Sequence, residues 1–308
     1  MTRLPDLYPG FETHRIKTSG AEIHCRIGGS GPPLVLLHGY PQTHVCWHKV
    51  APELSRHCTL IIPDLRGYGA SSCPPSTLAD DPDHAVYSKR AMALDVKEVM
   101  AALGHTRFMV AGHDRGGRVA YRLALDHPEV VSRLIPIDIL PTVEVWDGLR
   151  WRNAIGSYHW AFLAQPAPMP ETLIAADPAY YVSHTIASWT GDKTLAAMAP
   201  GALEHYRAAL MTPERIHAVC EDYRAGATFD YHADDVDRAA GRVMSCPTLF
   251  LWGSEYIGKS ASNPVDVWRR WASDLTFAEI KSGHFLAEEN PADVVAALLP
   301  FIGSGTAP

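Results

Sequence analysis

Residues 112–116, Gly-His-Asp-Arg-Gly, place a carboxylate between two glycines at the junction of a predicted strand and a predicted helix. The spacing is that of the Gly-x-Ser-x-Gly turn that presents a nucleophilic serine, with Asp114 in the serine position. A carboxylate is ionised at neutral pH, needs no base to act as a nucleophile, and attacks a saturated carbon to give an alkyl ester. The segment therefore predicts Asp114 as the nucleophile of a reaction in which water must afterwards release an ester.

Release of such an ester needs a histidine base and a second carboxylate that orients the histidine, in the chain order nucleophile, acid, histidine. His284, in the Lys-Ser-Gly-His turn after the last predicted strand, is the predicted base. Two positions can supply the acid. Asp138 directly follows a predicted strand and precedes Pro141, whereas Glu255 lies in a loop beyond a later strand. Because an orienting carboxylate must be buried, we favour Asp138 over Glu255.

Hydrolysis of an ester passes through an oxyanion, which needs two preorganised N–H donors. In this type of turn one donor is the backbone amide of the residue after the nucleophile, which is Arg115 here. The other predicted donor is the amide of Tyr40, because a glycine and Pro41 flank it directly after the first core strand. The sequence thus predicts an oxyanion hole made by Tyr40 and Arg115.

The elements that must position these residues follow from the apolar pattern. Two extended segments near the start read as an antiparallel hairpin, and later apolar runs alternate with helical stretches, which is typical of a mostly parallel sheet with helices on both faces. The predicted strands are 12–19, 22–27, 34–37, 60–62, 108–111, 134–137, 248–252 and 275–280. The predicted helices are 43–56, 89–103, 118–126, 265–272 and 292–301.

The alternation stops after Pro141, where Trp, Tyr, His and Pro residues crowd the chain as far as about residue 231. We interpret this segment as an inserted helical cap. The predicted organisation is a core formed by residues 1–141 and 236–308, with a cap over residues 142–235.

Composition, charge and the motifs that are present indicate which kinds of partner to expect. The net charge of −7 without a Lys/Arg cluster disfavours nucleic acid, and no apolar run reaches the roughly 18 residues that a membrane helix needs. The first ten residues do not resemble a secretory signal, so we expect a cytoplasmic protein with free cysteines. No nucleotide-binding loop follows a strand and the Asp230–Asp235 segment lacks a complete ligand set, so neither a cofactor nor a metal is predicted.

The chain is similar to the haloacetate (fluoroacetate) dehalogenases of the α/β-hydrolase superfamily along nearly its whole length. The turn motifs are shared with epoxide hydrolases and haloalkane dehalogenases. The segments that carry the resemblance are His38–His44 with Trp47-His48, Gly112–Arg118, Asp138–Pro141, Tyr158–Trp160, Cys220–Gly226 and Ser282–Phe285.

The resemblance implies an α/β-hydrolase fold, a homodimer, and conversion of a small haloacid, most plainly fluoroacetate, to glycolate and halide. It assigns Arg115 and Arg118 to the substrate carboxylate and His159, Trp160 and Tyr223 to the halide. Each of these aromatic residues can donate a hydrogen bond to a departing anion. Ordinary salt bridges for the arginines and ordinary packing for the aromatic residues remain alternatives.

Two other functions stay open. An epoxide hydrolase uses the same nucleophile, acid and histidine, but it needs cap tyrosines to protonate the epoxide oxygen and gains little from two arginines beside the nucleophile. A non-catalytic receptor of the same fold would bind a small ligand under its cap, and the complete set Asp114, Asp138 and His284 argues against it.

Overall fold

The computed structural model describes residues 4–259 and 263–303 and contains one eight-stranded sheet in the order β1-β2-β4-β3-β5-β6-β7-β8. The second strand runs antiparallel to both of its neighbours, and the strands from the third to the eighth are parallel. The strands are β1 Glu12–Lys17, β2 Glu22–Gly29, β3 Pro33–Leu37, β4 Thr59–Pro63, β5 Phe108–His113, β6 Val131–Ile137, β7 Thr248–Gly253 and β8 Leu275–Ile280. The predicted mostly parallel α/β sheet is confirmed.

The central strands are buried on both faces, as their continuous apolar runs require. Every residue of β5 and of β7 is buried, and β3 is buried from Leu34 onward. Helices outside the 142–239 segment cover the sheet. They are α1 Ala51–Leu54, α2 Lys89–Ala102, α3 Arg115–Asp126, α12 Pro264–Trp268, α13 Leu286–Glu289 and α14 Pro291–Gly303. The carboxyl ends of the parallel strands thereby meet at one edge, where their following loops converge.

The predicted single helix over residues 43–56 is wrong. The structure has a 3₁₀ turn at His44–Trp47 and then the short helix α1, which carries Pro52 in its first turn. Proline has no N–H and its ring clashes with the preceding turn, so a helix can begin at Pro52 but cannot run through it. The predicted helix from residue 118 in fact begins at Arg115, directly after the candidate nucleophile.

Between β6 and β7 the described residues 142–239 form eight helices and no strand. They are α4 Thr142–Asp147, α5 Trp151–Gly156, α6 Tyr158–Leu163, α7 Met169–Ala176, α8 Pro178–Trp189, α9 Pro200–Ala208, α10 Pro213–Ala227 and α11 Phe229–Ala239. The predicted cap boundary at residue 235 falls inside α11. That helix is tied to α3 by buried ion pairs of Arg122 with Asp234 and Asp237, at 2.7 and 2.6 Å. The division into core and cap stays a prediction.

Within the described part of the chain, no helix has both the length and the apolar character needed to cross a bilayer.

Candidate active site

Asp114 occupies the sharp turn between β5 and α3. Its backbone has φ 48° and ψ −118°, a conformation that non-glycine residues rarely adopt, and strain of this kind concentrates at functional sites. A Cβ on Gly112 would overlap the carbonyl oxygen of Gly116, and a Cβ on Gly116 would overlap that of His38. Both glycines are therefore required by the close approach of the turn to its neighbours, and the turn projects the Asp114 carboxylate above the sheet edge.

The loop after β3 brings a backbone donor to the same carboxylate. The amide of Tyr40 donates to Oδ1 of Asp114 at 2.8 Å. A Cβ on Gly39 would overlap the Asp114 side chain, so glycine permits this approach. The structure thus brings together Tyr40 and Asp114, as the predicted oxyanion hole requires, and the Arg115 amide begins α3 beside them.

His284 joins Asp138 and Asp114. Its Nδ1 donates to Oδ2 of Asp138 at 2.5 Å, while its Nε2 lies 3.8 Å from Oδ2 of Asp114, too far for a hydrogen bond. The other Asp138 oxygen accepts from the amide of Gly253 at 2.9 Å, which fixes the carboxylate. Of the two acids considered from the sequence, Asp138 is thus the one hydrogen-bonded to His284. In the tautomer with the shared proton on Nδ1, Nε2 carries no proton and can accept one.

Burial and neighbouring groups set the ionisation of His284 and Asp114. Burial lowers the pKa of His284 to about 4, so its ring is neutral at physiological pH. Burial alone raises the pKa of Asp114, but its electrostatic interactions with His284, His113 and Arg118 outweigh that effect and hold the pKa below its ordinary value. The site therefore holds an ionised carboxylate beside a neutral histidine, which suits a nucleophile and a general base.

Three rings that sequence reasoning did not single out surround His284. Tyr256 lies with its centroid 4.5 Å from the His284 ring, Trp189 meets the ring edge-on at 5.5 Å, and His113 lies 4.5 Å away. Nε2 of His113 donates to the backbone oxygen of His284 at 2.7 Å. His113 belongs to the turn motif and could have been noticed, whereas the sequence around Trp189 and Tyr256 carries no signal of this contact.

A cavity of about 350 Å³ opens above Asp114. This volume is within the usual range for a small-molecule site. Among its lining residues are most of the predicted site residues and Tyr256. The predicted ones are Asp114, Arg118, Asp138, His159, Trp160 and His284.

The two predicted carboxylate-binding arginines are placed differently. Arg115 is fully buried, and its Nε and Nη2 donate to the Asp222 carboxylate at 2.9 and 2.7 Å. Its Nη1 has no hydrogen-bond partner among the described residues. Arg118 lines the cavity and donates from Nη1 to the backbone oxygen of Leu140 at 2.8 Å, while its buried Nε is equally unpartnered among the described residues. The described residues thus leave both N–H groups on Nη1 of Arg115 and the Nε–H of Arg118 without an acceptor.

The three predicted halide-binding rings form a triangle. Their centroids are separated by 5.9 Å for His159 and Tyr223, 5.9 Å for Trp160 and Tyr223, and 6.4 Å for His159 and Trp160. The Trp160 ring also covers the Arg118 guanidinium at 4.5 Å. The structure therefore brings the three rings together beside the arginines, and their roles stay predictions.

The sequence pattern of the α/β hydrolase fold family matches residues 32–291, most of the chain. The chain belongs to the α/β hydrolase fold family. Within this family, it is 41% identical to a fluoroacetate dehalogenase from Burkholderia sp over 96% of this chain and 95% of that protein. It is 29% identical to a soluble epoxide hydrolase from Corynebacterium sp. (strain C12), over 94% of this chain and 96% of that one.

Solved structures of α/β hydrolases agree with this assignment. A protein from Nostoc sp PCC 7120 that is assigned as an α/β hydrolase superposes with a TM-score of 0.91 at 45% identity, covering 96% of this chain and 98% of that one. Because relatives named as dehalogenase and as epoxide hydrolase both match nearly the whole chain, similarity alone does not separate the two reactions. The side chains around the α/β hydrolase nucleophile must do so.

Proposed function

We propose that the chain is a hydrolytic dehalogenase that converts fluoroacetate and related haloacetates to glycolate and halide through an ester of Asp114. The fluoroacetate dehalogenase relative supports the carbon–halogen class of reaction. The triad geometry around Asp114 supports the covalent route.

The observation that carries the proposal is the position of Arg118. It lines the cavity beside Asp114, it is buried, and it has an unused Nε–H. A buried guanidinium is compensated best by an anion, and a bidentate contact would fix the α-carbon of a small carboxylate for in-line attack. A neutral substrate could accept this hydrogen bond but would leave the buried positive charge without an anionic partner, which costs free energy.

In the first step an oxygen of Asp114 attacks the α-carbon and the carbon–halogen bond breaks, so that the halide leaves with both bonding electrons. We assign His159, Trp160 and Tyr223 as donors to the departing halide. Their hydrogen bonds are stronger to free fluoride than to carbon-bound fluorine, and this difference lowers the barrier.

In the second step His284 takes a proton from water and the resulting hydroxide attacks the carbonyl carbon of the Asp114 ester. Asp138 stabilises the charged ring that forms. The oxyanion is held by the amides of Tyr40 and Arg115. Its collapse breaks the bond to the glycolate oxygen, which takes the proton from His284, and the Asp114 carboxyl group then loses a proton to water and is again a carboxylate.

The test combines halide release with trapping of the ester. Wild-type protein should release fluoride from fluoroacetate and none from fluoroacetamide, which lacks the carboxylate. Asp114→Asn should reduce turnover by roughly 10⁴-fold or more. His284→Gln should accumulate a protein whose intact mass is increased by one carboxymethyl group on Asp114. Full activity of the Asp114 variant, or no added mass in the His284 variant, would contradict the covalent route.

An epoxide hydrolase is the second candidate, and Tyr256 is the observation that favours it. Its half-buried ring lines the cavity beside His284, where a phenol could donate to the opening epoxide oxygen. Turnover of styrene oxide above that of every haloacetate, abolished by Tyr256→Phe, would place this function first.

We also propose a homodimer. Trp151 and Ile155 lie one helical turn apart on α5 and are 74% and 75% exposed, which forms an apolar face that a second copy could cover. Light scattering should give twice the chain mass, and Trp151→Glu with Ile155→Lys should give the monomer mass. A monomeric wild-type protein would refute this part of the proposal.

A further inference from the structure

A second cavity of about 350 Å³ shares no lining residue with the cavity above Asp114. Its wall includes His24 on β2, His44 in the 3₁₀ turn, and Asp64 directly after β4. All three are buried, and one potential ligand atom from each lies within 4.8 Å of those from the other two. The proposed hydrolytic chemistry uses none of them.

These side chains are arranged almost as they would be if all three were ligands of one metal ion. His24 Nδ1 lies 3.3 Å from Asp64 Oδ2, and His44 Nδ1 lies 2.9 Å from Asp64 Oδ1. The two imidazole centroids are 4.9 Å apart. Two imidazoles on one tetrahedral ion with metal–nitrogen bonds of about 2.1 Å have centroids roughly 5 Å apart, so only small side-chain shifts are needed.

One nitrogen in this cluster is unexplained by the protein's own hydrogen bonds. His24 is 8% exposed, and its Nδ1 has no hydrogen-bond partner among the described residues. A buried polar atom left in this state costs free energy. A cation bound between this nitrogen and the Asp64 carboxylate would give both atoms a partner.

Asp64 is prepared as an anionic ligand. The backbone amides of His44 and Ala70 each donate to one of its oxygens at 2.8 Å, which fixes the carboxylate in orientation. Such supporting hydrogen bonds orient the ligands of established metal sites.

We propose that His24, His44 and Asp64 bind one divalent transition-metal ion of the Zn²⁺ type. Two imidazoles and one carboxylate match the preference of Zn²⁺, Co²⁺ and Ni²⁺, whereas Mg²⁺ and Ca²⁺ prefer oxygen ligands. His205 also lines the cavity, with its ring centroid 6.1 Å from that of His44, and its Nε2 donates to the Pro5 oxygen at 2.8 Å. Its Nδ1 or a water molecule supplies the fourth ligand.

The ion would join segments that are distant in sequence. β2, the turn after Tyr40 and the end of β4 each supply one ligand. Binding to the folded chain alone stabilises it by mass action. Metal binding therefore stabilises the contacts among β2, the 3₁₀ turn and the end of β4.

The experiment uses untagged full-length protein, loaded with Zn²⁺ and desalted, and measures bound zinc by elemental analysis and affinity by calorimetry. Wild type should retain about one Zn²⁺ per chain, unfold at a higher temperature with Zn²⁺ than with Mg²⁺, and give the visible spectrum of tetrahedral Co²⁺ when cobalt replaces zinc. His24→Ala should weaken Zn²⁺ binding at least tenfold. His14→Ala, on the neighbouring β1 and partly exposed, should bind as wild type does.

Circular dichroism identifies a His24 variant that fails to fold, and in that case His24→Asn, which keeps a polar side chain of similar size, takes its place. Wild type that retains less than half an equivalent of Zn²⁺ overturns the proposal. Equal retention by wild type and the folded His24 variant, or an equal response to Mg²⁺, overturns it as well. Haloacetate turnover is not a readout here, so the outcome is independent of the proposed function.

Discussion

Arg115 and Asp222 form a fully buried two-point ion pair, with Nε and Nη2 of the guanidinium at 2.9 and 2.7 Å from the two carboxylate oxygens. Tyr68 donates to the same carboxylate at 2.6 Å, and Lys89 forms a second ion pair with it. These contacts hold the guanidinium rigidly, so that Nη1 is presented in a fixed direction. Under the proposed function, Asp222 positions Arg115 for the substrate carboxylate.

Asp222→Asn should therefore raise KM for fluoroacetate at least about tenfold with a smaller change in kcat, because the amide cannot neutralise Arg115 and hold both of its donors. Tyr68→Phe removes one hydrogen bond to the same carboxylate and should change KM by less than about threefold. Steady-state kinetics on folded protein check both. A fall in kcat at unchanged KM would instead indicate a general loss of structure.

Trp160→Phe should lower kcat/KM more for fluoroacetate than for chloroacetate. It removes the indole N–H and keeps an aromatic ring over Arg118. Removal of one preorganised donor should lower kcat/KM for fluoroacetate about 100-fold, and for chloroacetate about tenfold because chloride needs less hydrogen bonding to leave. Trp252→Phe is the matched control, because it removes an indole N–H that donates to Glu279 at 3.0 Å outside the cavity. Equal losses of kcat/KM for the two substrates would contradict the assignment of Trp160 as a hydrogen-bond donor to the halide.

The pH profile of kcat should lack an acidic limb near the ordinary histidine pKa of 6.5. Burial lowers the pKa of His284 to about 4, and below that value the ring is protonated and cannot act as a base. The Asp114 charge raises this pKa, and that charge is lost in the ester, so the base stays available during hydrolysis. We expect level kcat from about pH 8 to about pH 5, and a limb centred near 6.5 would contradict the assignment.

Glu288 should make the protein less stable at alkaline pH. Burial raises its pKa from 4.5 to about 8, so the folded state binds more protons than the unfolded state between these values. Stability therefore falls by a few kcal/mol as pH rises through this window. Glu288→Gln imitates the neutral acid, which accepts hydrogen bonds from Gln42 and Tyr206.

Thermal unfolding at about pH 5.5 and about pH 8.5 checks this expectation. The Glu288 variant should match wild type at the lower pH and unfold at a higher temperature at the higher pH. Glu129→Gln, whose side chain is 60% exposed, should follow wild type at both. A variant less stable than wild type at the higher pH would show that the charged form is the folded one.

Features that a short continuous segment defines could be predicted from the sequence. A buried strand, two glycines with a residue between, and a helix define the Asp114 turn over fewer than twenty residues, and the structure has this strand and helix on either side of Asp114. The strand ends likewise located Asp138 and the turn holding His284. The exception was the segment from residue 43, where apolar periodicity was followed through Pro52 although proline restarts a helix there.

Contacts between distant segments could not be predicted. Asp222, the partner of Arg115, lies on α10. No local sequence pattern shows that its carboxylate would accept hydrogen bonds from Nε and Nη2 of Arg115. His24, His44 and Asp64 are each about twenty residues apart, without the close spacing by which metal motifs are recognised. The antiparallel packing of β2 on β4 brings His24 beside Asp64, and the 3₁₀ turn after β3 adds His44.

The hydrogen bond from Tyr40 to Asp114 makes the two oxygens of that carboxylate unequal. Under the proposed route through an ester of Asp114, Oδ1 is retained by the amide, so Oδ2, which lies 3.8 Å from Nε2 of His284, forms the bond to the substrate carbon. When water attacks the carbonyl carbon, Oδ2 departs inside the product, and the water oxygen takes its place in the protein. Each glycolate then carries an oxygen that belonged to the enzyme, and Asp114 consists of one permanent oxygen and one that is renewed at every turnover.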